Sequence, residues 1–204
     1  IMTMILRYSP TSPYVRKVCV VAVETGLSAQ MEKVVTDPWD PRTDLGAQNP
    51  LGKVPTLTTD AGVVLFDSRV ICEFLDNLHR GPKLFPDEPS ERLDVLRLQA
   101  LADGLLDAAV LAFIEQNRRP EGCRWEGWSE RQRQAIHRGL DWLAVQHHHL
   151  QGQVSIGSIA VGCMLGYLDF RLPDMHWQDQ HAELSRWYLD FSQRESMRAS
   201  FPAG

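Results

Sequence analysis

The sequence predicts a chain in two parts, an α/β domain followed by an all-α domain, and three observations carry that expectation. Short β-rich runs and helix-periodic runs alternate over the first eighty residues. The stretch HRGPKLFPDEPS, residues 79–90, then sets three prolines and a glycine within twelve residues and interrupts every regular pattern. Beyond it only helical periodicity continues. The division expected is residues 1–80, a linker at 81–90, and 91–204.

Each element follows from its own pattern. Residues 4–8 read as a strand. Residues 13–25 carry apolar positions at Val15, Val18, Cys19, Ala22 and Val23, the spacing of a helix, and Gly26 supplies its stop. Residues 33–36 form a second short strand, and 37–48, rich in Pro, Asp and Gly, a loop with room for one helical turn. The runs 56–59 and 63–66, joined by Asp60-Ala61-Gly62, read as a β-hairpin. An amphipathic helix follows at 70–78. The helix between the first two strands suits a parallel pair and the hairpin an antiparallel one, so the sheet is expected to be small and mixed. In the second part, helices are expected at 91–116, 129–149 and 156–170. Trp187 and Phe191, four apart, mark one face of a last helix.

Composition narrows the function. Of 204 residues, 44% are apolar and 23% charged, the balance of a globular protein able to bury a core. A net charge of -5 argues against nucleic acid or a membrane surface as partner, since both favour a basic face. No apolar run approaches the roughly 18 residues of a membrane span, and the first residues lack the pattern of a secretory leader. Cys19, Cys72, Cys123 and Cys163 are scattered without paired spacing. A disulfide framework is therefore not expected, and a cytoplasmic location is. His147, His148 and His149 are consecutive, so on a helix they diverge; they read as an exposed helix end, and no metal is expected.

Three motifs could carry chemistry, and each has a purely structural reading beside it. Ser12-Pro13 is a good helix start, because Ser caps and Pro is tolerated at the first helical position. A hydroxyl there, beside unpaired backbone N–H groups and a positive dipole end, is also where a thiolate would be stabilised. In NPLGKVPTL, residues 49–57, Pro55 opens a strand after a turn and is compatible with a cis bond. The residue before it could offer backbone N–H and C=O groups to a peptide-like ligand, or the whole could be a turn. In FDSRVI, residues 66–71, Asp67 or Ser68 could cap the following helix. The exposed N–H groups there could equally take a carboxylate while Asp67 holds an amine.

Taken in this order, with the Pro-rich linker and helical second half, the motifs resemble the bacterial glutathione S-transferase family, over essentially the whole chain. Ser before Pro13 places the resemblance with the Ser/Cys-type branch rather than the Tyr type. The segments TSPYVRK, NPLGKVP, ALADG and GYL are similar to those of an uncharacterised bacterial group. The resemblance implies a thioredoxin-like domain that binds glutathione as co-substrate, and a helical domain that forms the second-substrate pocket and part of a homodimer interface. It implies that Ser12 donates its hydroxyl to the glutathione sulfur, with Tyr8 and Ser9 in reserve. It further implies that Val54 pairs with the cysteinyl backbone before a cis Pro55, that Asp67 and Ser68 hold the γ-glutamyl amine and carboxylate, and that Lys53 reaches the glycine carboxylate. The expected activity is transfer of the thiolate to a small hydrophobic electrophile, as in detoxification. Isomerase, dehalogenase or peroxidase chemistry, and a non-catalytic regulatory or protein-binding role, are the alternatives.

Two departures qualify the resemblance. No cysteine precedes Pro13, and Cys19 lies about two turns along the helix, which argues against thiol–disulfide chemistry. In the helical half the family's Ser/Thr-x-x-Asp capping box appears as Ser155 with Ser158 in place of the acid. The cap is expected to survive and the charged partner to be lost, leaving that half slower to fold or less stable. Asp103 and Asp107, four apart on an apolar helix, read either as a solvated stripe or, through the resemblance, as acids at the dimer interface, with Asp103 facing the partner's glutathione amine. Trp125 and Trp128, beside Cys123, could line an apolar pocket; packing between helices is the expectation preferred.

Overall fold

A computed structural model describes residues 3–202 of the chain. The described residues fall into two compact units, the first running to Pro86 and regaining the C-terminal stretch from Glu195, the second spanning Asp87–Arg194.

The first unit contains β1 (Met4–Tyr8), α1 (Pro13–Glu24), β2 (Met31–Val35), the single turn α2 (Leu45–Gln48), β3 (Thr56–Thr58), β4 (Val64–Leu65) and α3 (Ser68–Leu78). The strands form one mixed sheet in the order β2-β1-β3-β4, with β1 parallel to β2 and the other two pairings antiparallel. Met4 and Leu6 are buried while Ile5 between them is exposed, the period of two that a half-covered strand requires. α1 ends as its glycine requires. Gly26 has φ +71°, its N–H reaches Val23 O at 3.0 Å, and Leu27 N reaches Ala22 O at 2.8 Å, the paired bonds of a Schellman motif.

The strand expected at 33–36 begins two residues earlier and ends one earlier, at Met31–Val35. As an edge strand it buries Met31 while Glu32, Lys33 and Val35 face solvent, so its apolar pattern is too thin to fix its bounds. The first half of the expected linker is held to the first unit by Asp76, which is 2% exposed. Its carboxylate accepts from Leu84 N (2.9 Å), Phe85 N (3.2 Å) and His79 Nε2 (2.9 Å). Lys83 Nζ closes the same turn on the carbonyls of Asp76 and His79.

The second unit is helical: α4 (Pro89–Asn117), α5 (Glu126–Val145), α6 (Ile156–Arg171), α7 (Trp177–Gln180) and α8 (Ala182–Phe191). Glu88 caps α4, its carboxylate accepting from Glu91 N at 2.8 Å, with Pro89 at the first helical position. α6 is buried all round from Ile156 to Leu168. Its capping box survives without the acid. Ser155 Oγ accepts from Ser158 N (3.3 Å), and Ser158 Oγ accepts from Ser155 N (3.0 Å), so a hydroxyl does the work of the carboxylate. The histidines at 147–149 fall in a 3-10 turn after α5. Trp125 is 67% exposed and stacks on Trp128 with centroids 6.3 Å apart, which corrects the expectation that it packs between helices.

The last described helical turn, α9 (Glu195–Arg198), lies against α1. Met197 and Ser196 are buried there, Ser196 Oγ donates to Glu24, and Arg16 Nη2 donates to Met197 O at 3.2 Å. No helix among the described residues is long and apolar enough to cross a membrane.

Candidate functional site: one edge of the mixed sheet

Strand register brings the three motifs to one edge of the sheet. β1 pairs antiparallel with β3 at Arg7↔Thr56, so the residues after Arg7 run beside Val54 and Pro55. β3 pairs with β4 at Leu57↔Leu65, so the residues after Leu65 also run towards Pro55. The end of β1, the start of β3 and the end of β4 therefore share an edge, and α1 and α3 both begin there. Two helix N-termini and an unpaired strand start lie together, an arrangement rich in backbone N–H donors.

Ser12 occupies the N-cap of α1 with φ -79° and ψ 121°. Its Oγ accepts from Val15 N at 3.3 Å, and its carbonyl accepts from Arg16 N at 3.0 Å. A hydroxyl that accepts through a lone pair keeps its hydrogen for donation. The cap and the proposed thiol donor are thus compatible in one side chain. No acid lies in the first turn of α1 to oppose an anion there. Ser12 is half-buried, and Ser9, also half-buried, accepts from Ser12 N at 3.2 Å through its carbonyl. Tyr8 has Lys33 Nζ 5.2 Å from its ring centroid, a contact from the β2 side. Cys19 is buried within α1, and burial pushes its thiol pKa up against the opposing pull of Lys33.

The Val54–Pro55 bond is cis, as is Phe66–Asp67. The loop before Pro55 is braced by a residue whose role sequence reasoning missed. Asn49, 1% exposed, donates from Nδ2 to Lys53 O and to Thr56 Oγ1, both at 3.0 Å, and accepts from Leu51 N at 2.9 Å. Thr56 Oγ1 in turn donates to Lys53 O at 2.9 Å. The Asn-Pro pair at 49–50 was the available signal, since Asn before Pro favours a side-chain-closed turn. Lys53 itself is exposed.

Asp67 caps α3, Oδ1 accepting from Arg69 N at 2.9 Å, while Oδ2 lies 4.0 Å from Arg69 Nε and the side chain is 55% exposed. Ser68 is the first residue of α3 and is 2% exposed, so its backbone N–H is one of the donors a helix leaves without an internal partner. The six candidates Ser12, Lys53, Val54, Pro55, Asp67 and Ser68 therefore all belong to the first unit. Asp103 does not. It lies in α4 and is 1% exposed, whereas Asp107, one turn on, faces solvent.

Comparison with known proteins gives the family. The family model for the glutathione S-transferase N-terminal domain matches residues 11–78, and that for the C-terminal domain matches residues 126–189. The chain belongs to the glutathione S-transferase family. It is 34% identical over 197 residues to the uncharacterised GST-like protein YibF of Escherichia coli K12, covering 95% of this chain and 96% of that one. A glutathione transferase family member from Pseudomonas fluorescens Pf-5, solved with bound glutathione, superposes with a TM-score of 0.94 at 43% identity, over 99% of this chain and 100% of the other. A second structure of a family member from that strain, with bound S-(propanoic acid)-glutathione, gives a TM-score of 0.91 at 43% identity, over 98% and 100% of the two chains.

Proposed function

We propose that this protein binds reduced glutathione at the shared sheet edge, stabilises its thiolate with Ser12, and adds it to a small electrophile. The observation that carries the reading is the register: it gathers Ser12, the Val54–Pro55 backbone and Asp67–Ser68 at one edge, beside two helix N-termini. In this reading Asp67 holds the γ-glutamyl amine, Ser68 its carboxylate, Val54 the cysteinyl backbone, and Lys53 the glycine carboxylate. A free thiol titrates near ~8.5 and is mostly protonated at neutral pH. A hydrogen bond donated to the sulfur and the positive end of α1 both favour the charged form and lower that value. The sulfur then bonds to an electrophilic carbon, and the electron pair released passes to the leaving group or to a carbon that takes a proton from water. The thioether bound to the Pseudomonas relative, S-(propanoic acid)-glutathione, supports thiol addition as the reaction class.

The helical unit is assigned the second substrate in this reading, and the assembly is a homodimer in the cytoplasm. None of the four cysteines is in a disulfide among the described residues, which suits a reducing compartment. Calorimetric titration of reduced glutathione tests the first step. Saturable binding that weakens about tenfold in Asp67→Asn, through loss of a charged partner for the amine, is expected. Absence of binding at millimolar glutathione would overturn the reading and favour a non-catalytic interaction module.

A further inference from the structure

The helical unit carries a cation that its own acids leave unneutralised. Arg171 closes α6, and its guanidinium carbon lies 4.0 Å from the ring centroid of Phe170 and 4.5 Å from that of Phe113. Phe113 belongs to the end of α4. The two helices run in the same direction, since Gly157 at the start of α6 sits against Val95 and Leu98, early in α4. Their carboxyl ends therefore meet at this cluster. Tyr167, one turn before Arg171 and 5% exposed, completes it; burial pushes its hydroxyl pKa up, against the opposing pull of the Arg171 charge.

The nearby carboxylates are engaged elsewhere. Asp169 accepts from Trp177 Nε1 at 2.7 Å and from Gln178 Nε2 at 2.6 Å. Asp174 pairs with Arg133 at 2.8 Å, and Glu115 with Arg119 at 2.8 Å. No carboxylate among the described residues pairs with Arg171, and its buried Nε has no hydrogen-bond partner among them. The two rings and the carbonyl end of α6 stabilise the charge, at short and at longer range. Neither supplies the paired oxygen acceptors that a guanidinium fork matches. Nε is buried, but Arg171, Phe113 and Phe170 are each half-buried as residues and so keep some surface open to a ligand.

We propose that the joined ends of α4 and α6 form a carboxylate-binding site, in which Arg171 grips the acid group of a planar unsaturated acid and Phe113 and Phe170 receive its apolar body. The two rings restrict the guanidinium in advance, which lowers the entropy lost when a ligand docks. As the site of a second substrate this inference rests on the transferase reading, where an α,β-unsaturated acid is a suitable thiol acceptor. As a carboxylate site it stands on the helical unit alone.

The test is calorimetric titration of the full chain with cinnamate and with cinnamamide, which share a shape and differ in charge. The wild type is expected to bind cinnamate about tenfold more tightly than the amide, the size of one charge-assisted contact. Arg171→Gln is expected to bind the two equally and Arg171→Lys to retain a smaller preference, with thermal melts confirming that each variant folds. Equal binding of the two probes to the wild type, binding of neither, or a preference that survives Arg171→Gln would overturn the site. Glutathione is titrated separately. Failure there would defeat the transferase reading without touching this one, and failure with cinnamate would do the reverse.

Discussion

At the scale of single residues, charge and hydrogen bonding make the sharpest claims. Glu115, 4% exposed, accepts from Trp125 N and from Arg119 Nε, both at 2.8 Å, and so ties the end of α4 to the start of α5. The Trp125 backbone bond, then Arg119, hold its carboxyl below the usual carboxylate range. A depressed folded-state value means that the stabilisation is complete above the unfolded value of ~4.3 and is lost as pH falls through the lower folded value. Glu115→Gln should therefore reduce stability at neutral pH and flatten the acid limb of a melting-temperature profile; an unchanged acid limb would show that the clamp contributes nothing. Asp76 makes a second residue-scale case. Replacing it with Ala leaves Leu84 N and Phe85 N buried without acceptors, at about 1–3 kcal/mol each before relaxation, which urea denaturation would read as a lowered midpoint. Ser12-Pro13 and Asp67-Ser68 were legible in the sequence because capping is local and needs only a few neighbours. The hub at Asn49 was not, because its partners Lys53 and Thr56 meet it only once the loop has folded.

At the scale of elements, close approach decides. A Cβ added at Gly157 would lie 2.9 Å from Leu98 Cβ and 3.0 Å from Val95 O, and neither is the tip of a flexible side chain. Gly157→Ala should cost about 1–3 kcal/mol through forced separation of α4 and α6, against the small gain in helix propensity that Ala would bring in open space. A melt unchanged or raised would refute this packing. The long helices were readable from periodicity alone, within a few residues at their ends. β2 begins two residues and ends one residue before its expected bounds, since an edge strand with Glu32, Lys33 and Val35 exposed carries almost no buried pattern. Asp103 and Asp107 share a helical spacing yet differ in burial, because two positions four apart are offset around the helix and only the neighbours decide which is covered.

At the scale of the whole molecule, the return of the C-terminus is the feature that sequence could not supply. The composition change at residues 79–90 marks where the strand-bearing pattern ends, but four residues of α9 carry no signal of their own destination. Met197, fully buried, and the Met197 carbonyl that receives Arg16 place them with the first unit. Met197→Ala should cost about 2–5 kcal/mol by cavity formation. Its effect on hydrogen exchange should concentrate in α1 and the sheet; uniform loss of protection across both units would show that the chain unfolds as one body.

The central claim is that Ser12 is at once a helix cap and the donor that holds a bound thiolate. The most direct measurement is the pH titration of the ultraviolet thiolate band of glutathione bound to the wild type, Ser12→Thr and Ser12→Ala. The account predicts a midpoint below that of free glutathione in the wild type, nearly kept in Ser12→Thr, and moved upward in Ser12→Ala by about one pH unit, or ~1.4 kcal/mol. A wild-type midpoint equal to that of the free thiol, or one unmoved by Ser12→Ala, would contradict it and leave Ser12 a cap alone.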